Sequence, residues 1–145
     1  MNLKTASLAG FLAAVLCFVW LYFRSALLGD GPITIGIQAA AVALMLWARL
    51  TFGTRSFHAA ANPTAGGLVT HGPYRYLRHP IYAALLYFLW AGIAAHPSAS
   101  HAVVALVATA GLAVRIAAEE KFLIAQYPEY AAYARRTRRV APFIF

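Results

Sequence analysis

Charge is scarce in this chain. Of its 145 residues, 11% are Asp, Glu, Lys or Arg, whereas an average soluble domain is roughly a quarter charged. So little polar surface cannot cover a water-soluble core of this size, which argues against a soluble enzyme. Cysteine is nearly absent too. A single residue, Cys17, excludes an intrachain disulfide and a cysteine-rich zinc site. The chain shows no internal repeat, no low-complexity tract, and no GxGxxG turn of the kind that opens a dinucleotide-binding fold. What it has instead is apolar mass. Hydrophobic residues make up 62% and aromatics 14%, with mean hydropathy +0.67. That excludes disorder, which requires low hydrophobicity. The expectation is an all-α, polytopic membrane protein in a single domain spanning residues 1–145.

Four stretches are long and poor in charge. They predict spans over residues 6–23, 31–50, 79–97 and 100–118, a loop over 51–80 and a tail over 119–145. A spanning helix needs about 20 residues. The first two stretches meet this. The third needs residues near His79 and Pro97, and the fourth needs Arg115. The first is too long for the apolar part of a signal peptide and lacks a clean cleavage site, so it is read as a retained helix. With four spans, Lys4, Arg49, Arg55, Arg75, Arg78, Arg115, Lys121, Arg135, Arg136, Arg138 and Arg139 share one side, and Arg24 alone occupies the other. The positive-inside rule then puts both termini and the middle loop in the cytoplasm. It also accounts for the net charge of +8 without a nucleic-acid partner. The run Arg135–Arg139 suits anionic headgroups. The turns around Ser25–Pro32 and His96–Ser100 read as plain connectors.

The middle loop is long for so small a protein, and loops of that length are commonly functional. Its end reads LVTHGPYRYLRHPIY, from Leu68 to Tyr82, after Gly66-Gly67. Pro80 suits the first turn of the third helix. His79 then stands at the helix entry, where unpaired amides favour an anionic group. An aromatic interfacial belt is the plainer reading of these residues. A second cluster is Arg115-Ile116-Ala117-Ala118-Glu119-Glu120. On a helix, Arg115 and Glu119 are i,i+4 neighbours, Glu120 points about a quarter-turn away, and Gln126 falls near the same stripe. Ionisable residues within a span usually mark function, although an ion pair ending the span is the plainer alternative. Tyr127-Pro128 predicts where the helix stops. No serine–histidine–acid set is evident. Metal is not expected, because His71 with His79, and His96 with His101, lack a ligand spacing.

These motifs resemble the isoprenylcysteine carboxyl methyltransferase and phospholipid methyltransferase family of integral membrane methyltransferases. The resemblance rests on RHPIY at Arg78–Tyr82 with its preceding LVTHGPYRYL, on R-x-x-x-E-E at Arg115–Glu120, and on a tail with Tyr127, Tyr130, clustered arginines and Val140-Ala141-Pro142-Phe143. It covers roughly residues 46–145. It implies an S-adenosylmethionine cofactor bound on the cytoplasmic side, with contacts from Gly66, Gly67, Leu68, Val69, Tyr74, His79, Pro80, Ile81, Tyr82 and Glu119. Arg115 becomes the substrate-side catalytic arginine. Gly66 and Gly67 depart from the eukaryotic carboxyl methyltransferase pattern, which has bulkier polar residues there.

The chemistry of the residues agrees with that assignment. Glu119 suits the cofactor's ammonium, and His79 with helix-entry amides suits its carboxylate. The expected partner is a lipophilic or small membrane-accessible methyl acceptor: a carboxylate such as an isoprenylcysteine first, then a lipid amine or a thiol. A carboxylate acceptor needs no base and fits a bidentate arginine. An amine or thiol would need one, with Glu120 or a tyrosine the only candidates. A membrane reductase of the sterol reductase type, using NADPH, is the second reading. Its pattern has an asparagine before the tyrosine and an acid soon after, where this chain has Pro80-Ile81 and Ala83-Ala84. A non-catalytic membrane subunit is the third, disfavoured by intact Glu119, Arg115 and His79.

Overall fold

Helix α1 (Leu3–Phe23) and helix α2 (Pro32–Phe52) form because nothing inside either apolar run breaks it. Asn2 caps α1 by accepting from the Lys4 amide at 3.3 Å, and Pro32 opens α2 where its missing N–H costs nothing. The protein is described by a computed structural model over residues 2–53 and 67–141. Gly66, residues 54–65, and Pro142 with Phe143 lie outside the described residues. After a short 3-10 turn (Gly72–Arg75) come α3 (Pro80–Ala95), α4 (Ala99–Gln126) and α5 (Tyr130–Arg136). Among the described residues there is no strand beyond one isolated parallel bridge, Leu77 to Arg138.

One boundary differs from the sequence expectation for a physical reason. Helix α3 has 16 residues, because His96 precedes Pro97 and leaves the helical region (φ −124°, ψ 64°). At 1.5 Å per residue it spans about 24 Å, short of a hydrocarbon core of about 30 Å. Helix α4 runs on past the span expected over 100–118 to Gln126, and stops where Tyr127 turns extended ahead of Pro128, the stop that Tyr127-Pro128 predicts. Glu119 and Glu120 are therefore helical residues, as the i,i+4 reading of Arg115 and Glu119 expects. Helices α1, α2 and α4 are long and apolar enough to cross a membrane, and α3 is the shorter apolar helix.

Helix α4 lies antiparallel along α1, and α2 lies antiparallel along α3. The α1–α4 crossing is tight because glycine meets glycine. A Cβ on Gly111 would stand 2.4 Å from the Gly10 carbonyl oxygen, and one on Gly10 would stand 2.6 Å from that of Gly111. Small residues at such a crossing let backbones approach where lipid provides no hydrophobic drive. Ala14, Leu21, Ala105, Ala108 and Leu112 continue this seam, and Leu89 and Ile93 of α3 close it.

The turn between α1 and α2 is not a plain connector. Residues 24–31 fold inward to cover the end of short α3. Ala26 is fully buried, and a Cβ on Gly92 would stand 2.2 Å from the Leu27 carbonyl oxygen. Buried Gln38 stitches the three elements together. Its amide nitrogen donates to Leu27 O at 2.7 Å and Phe88 O at 3.0 Å, and its oxygen accepts from Gly29 N at 2.8 Å. His96 reaches Leu28 O at 2.8 Å from the far side.

All described basic residues except Arg24 gather at the other end, where α1 begins, α2 ends, α3 begins and α4 ends.

Gly111→Val should destabilise the protein by about 1–3 kcal/mol, the usual cost of forcing volume into a packed contact. Gly36→Ala should be neutral or stabilising, since nothing lies within 4 Å of the added Cβ. Equilibrium unfolding in detergent compares the two. Equal stability of both variants would mean the glycine crossing does not hold the bundle.

Candidate active site at the basic end

Neighbouring glutamates on α4 face different ways, because successive helical residues are rotated by about 100°. Each meets a separate set of partners. They lie about 30 Å along the helix from Ala99, a length comparable to the thickness of a hydrocarbon core.

Glu119 joins Arg115 and Tyr82. Arg115 Nε donates to the Tyr82 hydroxyl at 2.6 Å and lies 3.2 Å from Glu119 Oε1. The Tyr82 hydroxyl in turn donates a short hydrogen bond to that same Oε1. The Arg115 side chain is buried, with only 4% exposed, and its guanidinium lies over the Phe11 ring of α1 at 4.7 Å. Glu119 Oε2 takes no hydrogen bond from the described residues, and His79 Nδ1 stands 3.8 Å away. The other imidazole nitrogen, Nε2, is fully buried with no hydrogen-bond partner, although Glu120 Oε1 is 3.4 Å off. A buried polar atom in that state costs about 1–3 kcal/mol and is expected to meet a ligand or water.

Glu120 has another task. It accepts from Arg78 Nε at 2.8 Å, from Arg139 Nε at 3.0 Å, and from the Tyr130 hydroxyl at 3.4 Å. Arg78 also donates to Ala134 O at 2.8 Å and Thr137 O at 2.5 Å, so it neutralises the carbonyl end of α5. Residues 137–140 run beside 76–79. Arg138 N donates to Tyr76 O, Arg78 N to Arg138 O, and His79 N to Arg139 O. Tyr87 adds a hydrogen bond to Val140 O at 2.5 Å. Tyr133 donates to Tyr74 O at 2.7 Å. Burial pushes the Tyr133 phenol up to about 12, so it remains a neutral donor at ordinary pH. Glu120 is thus the centre of a clamp that straps the tail across the entry of α3.

This clamp revises the expectation of unpaired amides at that entry. The His79 amide is occupied by Arg139 and Pro80 has none, which leaves the amides of Ile81 and Tyr82 without a partner among the described residues. Val69, Tyr74 and Ile81 pack with Ala48 and Phe52 of α2 into an apolar floor beside the entry. Burial raises the Tyr74 phenol above its ordinary value. Leu68 is half-buried. Gly67 is exposed with φ +83°, a conformation that favours glycine. His79, Pro80, Tyr82, Arg115 and Glu119 thus share one locus, with the Val69–Tyr74–Ile81 floor next to it. Gln126 is exposed and apart from it. The structural roles of Arg78, Arg139 and Tyr130 were not anticipated. Arg78 stood inside the RHPIY motif, which was its available signal. Among the described residues no three His, Cys, Asp or Glu side chains converge to hold a metal.

The phospholipid methyltransferase family model matches residues 30–130, from the start of α2 to the start of α5. The chain belongs to that family. The match contains RHPIY and R-x-x-x-E-E, the two segments that build the Glu119 locus, and it leaves out α1. Membership together with the apolar helices makes the chain an integral membrane protein. A relative, the cobalt-zinc-cadmium resistance protein CzcN of Cupriavidus metallidurans, is 36% identical over 113 residues, covering 76% of this chain and 49% of its own length. The chain thus spans about half of that relative. No solved structure matches it.

Glu120→Gln should loosen the strap, since removing one partner of a largely buried ion pair costs about 3–5 kcal/mol. Limited proteolysis should cut residues 127–141 faster in Glu120→Gln than in wild type, whereas Glu129→Gln, at an exposed position, should match wild type. Unchanged cleavage in Glu120→Gln would remove it from the clamp.

Proposed function

We propose that this protein is an S-adenosylmethionine-dependent methyltransferase whose site is the Glu119–Arg115–Tyr82–His79 locus, facing the cytoplasm. The observation that carries the reading is the buried His79 ring: among the described residues its Nε2 has no hydrogen-bond partner, and its Nδ1 lies 3.8 Å from Glu119 Oε2, an oxygen that takes no hydrogen bond from them. Zwitterionic amino-acid groups need both kinds of partner. Glu119 Oε2 suits an ammonium. The Ile81 and Tyr82 amides, at a helix N-terminus with His79 adjacent, suit a carboxylate. The Val69–Tyr74–Ile81 floor offers apolar and aromatic surface for the remainder of the cofactor, with Gly67 and Leu68 at its margin. The residues present therefore fit the group. Family membership supports the chemistry, and the gathering of basic residues at this end supports the sidedness.

When bound, the cofactor supplies an electrophilic methyl group on a sulfonium. The chain orients the partners and excludes water for an in-line displacement, where placement alone is worth much of the barrier. Arg115 is the side chain suited to hold an acceptor carboxylate. Glu120 is already neutralised by two guanidiniums, so it is a poor base for an amine or a neutral thiol. That favours an acceptor that arrives anionic, a lipophilic carboxylate first, with a lipid amine or thiol as the lesser alternatives.

Calorimetric titration of S-adenosylhomocysteine into detergent-purified protein tests the reading, with NADPH in parallel. Wild type should bind saturably. Glu119→Gln should bind about tenfold or more weakly, the loss expected for a charged hydrogen bond. No binding to folded wild type would reject the reading, and binding of NADPH in its place would transfer the site to a reductase. Arg115→Ala should retain binding of S-adenosylhomocysteine and lose methyl transfer. Parallel loss of both would place Arg115 on the cofactor rather than the acceptor.

A further inference from the structure

Helix α1 lies before residue 30 and is outside the family match, yet it touches the site. The contact is the Phe11 ring against the Arg115 guanidinium at 4.7 Å, with the Tyr82 ring at 5.9 Å from the same group. Arg115 is deeply buried, and its Nε edge is used by Tyr82 and Glu119. A cation taken out of water gains from an aromatic face, more so where it is desolvated. Helix α1 carries no acid over its whole length, and Lys4 is its one charged residue. Phe11 is therefore how this helix meets a buried positive charge without adding a competing carboxylate.

The register of that meeting is fixed. Lys4 lies over Phe122 at 5.8 Å, Gly10 abuts Gly111, and Trp20 meets His101 at 6.0 Å. Three contacts along the antiparallel pair hold α1 in one axial position. The glycine crossing sits one residue before Phe11 on α1 and one turn before Arg115 on α4. It presses the ring onto the guanidinium. An apolar side chain facing lipid would need none of this.

We propose that α1 is part of the catalytic unit and that Phe11 is a positioning residue, holding the Arg115 guanidinium by its face on the acceptor side of the site. The functional half of this inference rests on the methyltransferase reading, and the physical half does not. Leucine at position 11 keeps the apolar bulk and loses the ring, whereas tryptophan keeps an aromatic face.

The test uses full-length protein in detergent, with N-acetyl-S-farnesylcysteine as the carboxylate probe and labelled S-adenosylmethionine as donor. Phe11→Leu should lower kcat/KM for the probe by about threefold to tenfold, the range a cation–π contact supports. Its affinity for S-adenosylhomocysteine should stay at the wild-type value, and Phe11→Trp should recover turnover. Wild-type turnover in Phe11→Leu, or equal loss in the leucine and tryptophan variants, would overturn the positioning role. A thermal-unfolding cycle of Phe11→Leu, Arg115→Met and the double variant is read alongside. Phe11→Leu should lower Tm in the wild-type background and not in the Arg115→Met background. Additive shifts would overturn the inference even if the probe is not a substrate. Failure of wild type to bind S-adenosylhomocysteine would reject the methyltransferase reading, and the unfolding cycle would still decide the Phe11–Arg115 coupling.

Discussion

A carboxylate at the edge of the hydrocarbon core must be neutralised, and this chain has to do so twice in succession. Glu119 and Glu120 are two of only four acidic residues in the sequence. Because they sit on one helix, their side chains diverge and recruit different elements. Glu120 draws Arg78 from the α3 entry and Arg139 from the tail. Glu119 draws Arg115 from its own helix and Tyr82 from α3. The position of the α3 entry, the path of the tail and the burial of Arg115 follow from these two neutralisations. The division also separates duties. One carboxylate is locked into the scaffold by two guanidiniums, and its neighbour keeps an oxygen available.

The second constraint is the short length of α3. A helix of 16 residues leaves apolar surface uncovered at one end and backbone amides uncovered at the other. Different pieces of chain solve the two problems. The α1–α2 turn folds in at one end, and Gly92 provides the space it needs. The tail straps across the other, satisfying the His79 amide and leaving those of Ile81 and Tyr82 without a partner among the described residues. In a lipid environment every backbone group needs a partner or an aqueous or liganded cavity. Among the described residues the Ile81 and Tyr82 amides and the buried His79 Nε2 have no hydrogen-bond partner, so this is where that rule asks for a further partner.

Much of this could be read in the sequence, and the boundary of what could be read is physical. Local rules carried the helical, membrane-embedded class, the i,i+4 pairing of Arg115 with Glu119, and Pro80 at the first turn of α3. They depend on composition and on neighbours within one helical turn. The Glu120 clamp was not legible, because Arg78 reaches it only once the α3 entry packs beside α4, and Tyr130 and Arg139 only once α5 and the tail have folded back. The inward fold of residues 24–31 was missed for a related reason. Glycine, proline and serine punctuation signals a turn but not which way it faces, and the sharp approach at Gly92 exists only in the packed bundle. Phe11 carried no signal at all: one phenylalanine in an apolar helix looks like any other lipid-facing residue until α4 is laid against it.

The pairing of Arg115 with Glu119 bears on how two ligands share the site. In the protein alone each charge is the other's counter-ion, and neither is left bare in a low-dielectric setting. On the proposed reading, the cofactor's ammonium offers Glu119 a second cation. The Glu119 charge is then balanced without Arg115, and the guanidinium becomes available to an anionic acceptor. An acceptor carboxylate arriving first would pair with Arg115 and leave Glu119 in need of a cation. Each ligand therefore improves the electrostatic setting for the other, and this reciprocity requires no change of backbone. The Phe11 ring suits that exchange. It holds the guanidinium by its face and leaves its hydrogen-bonding edges to change partners.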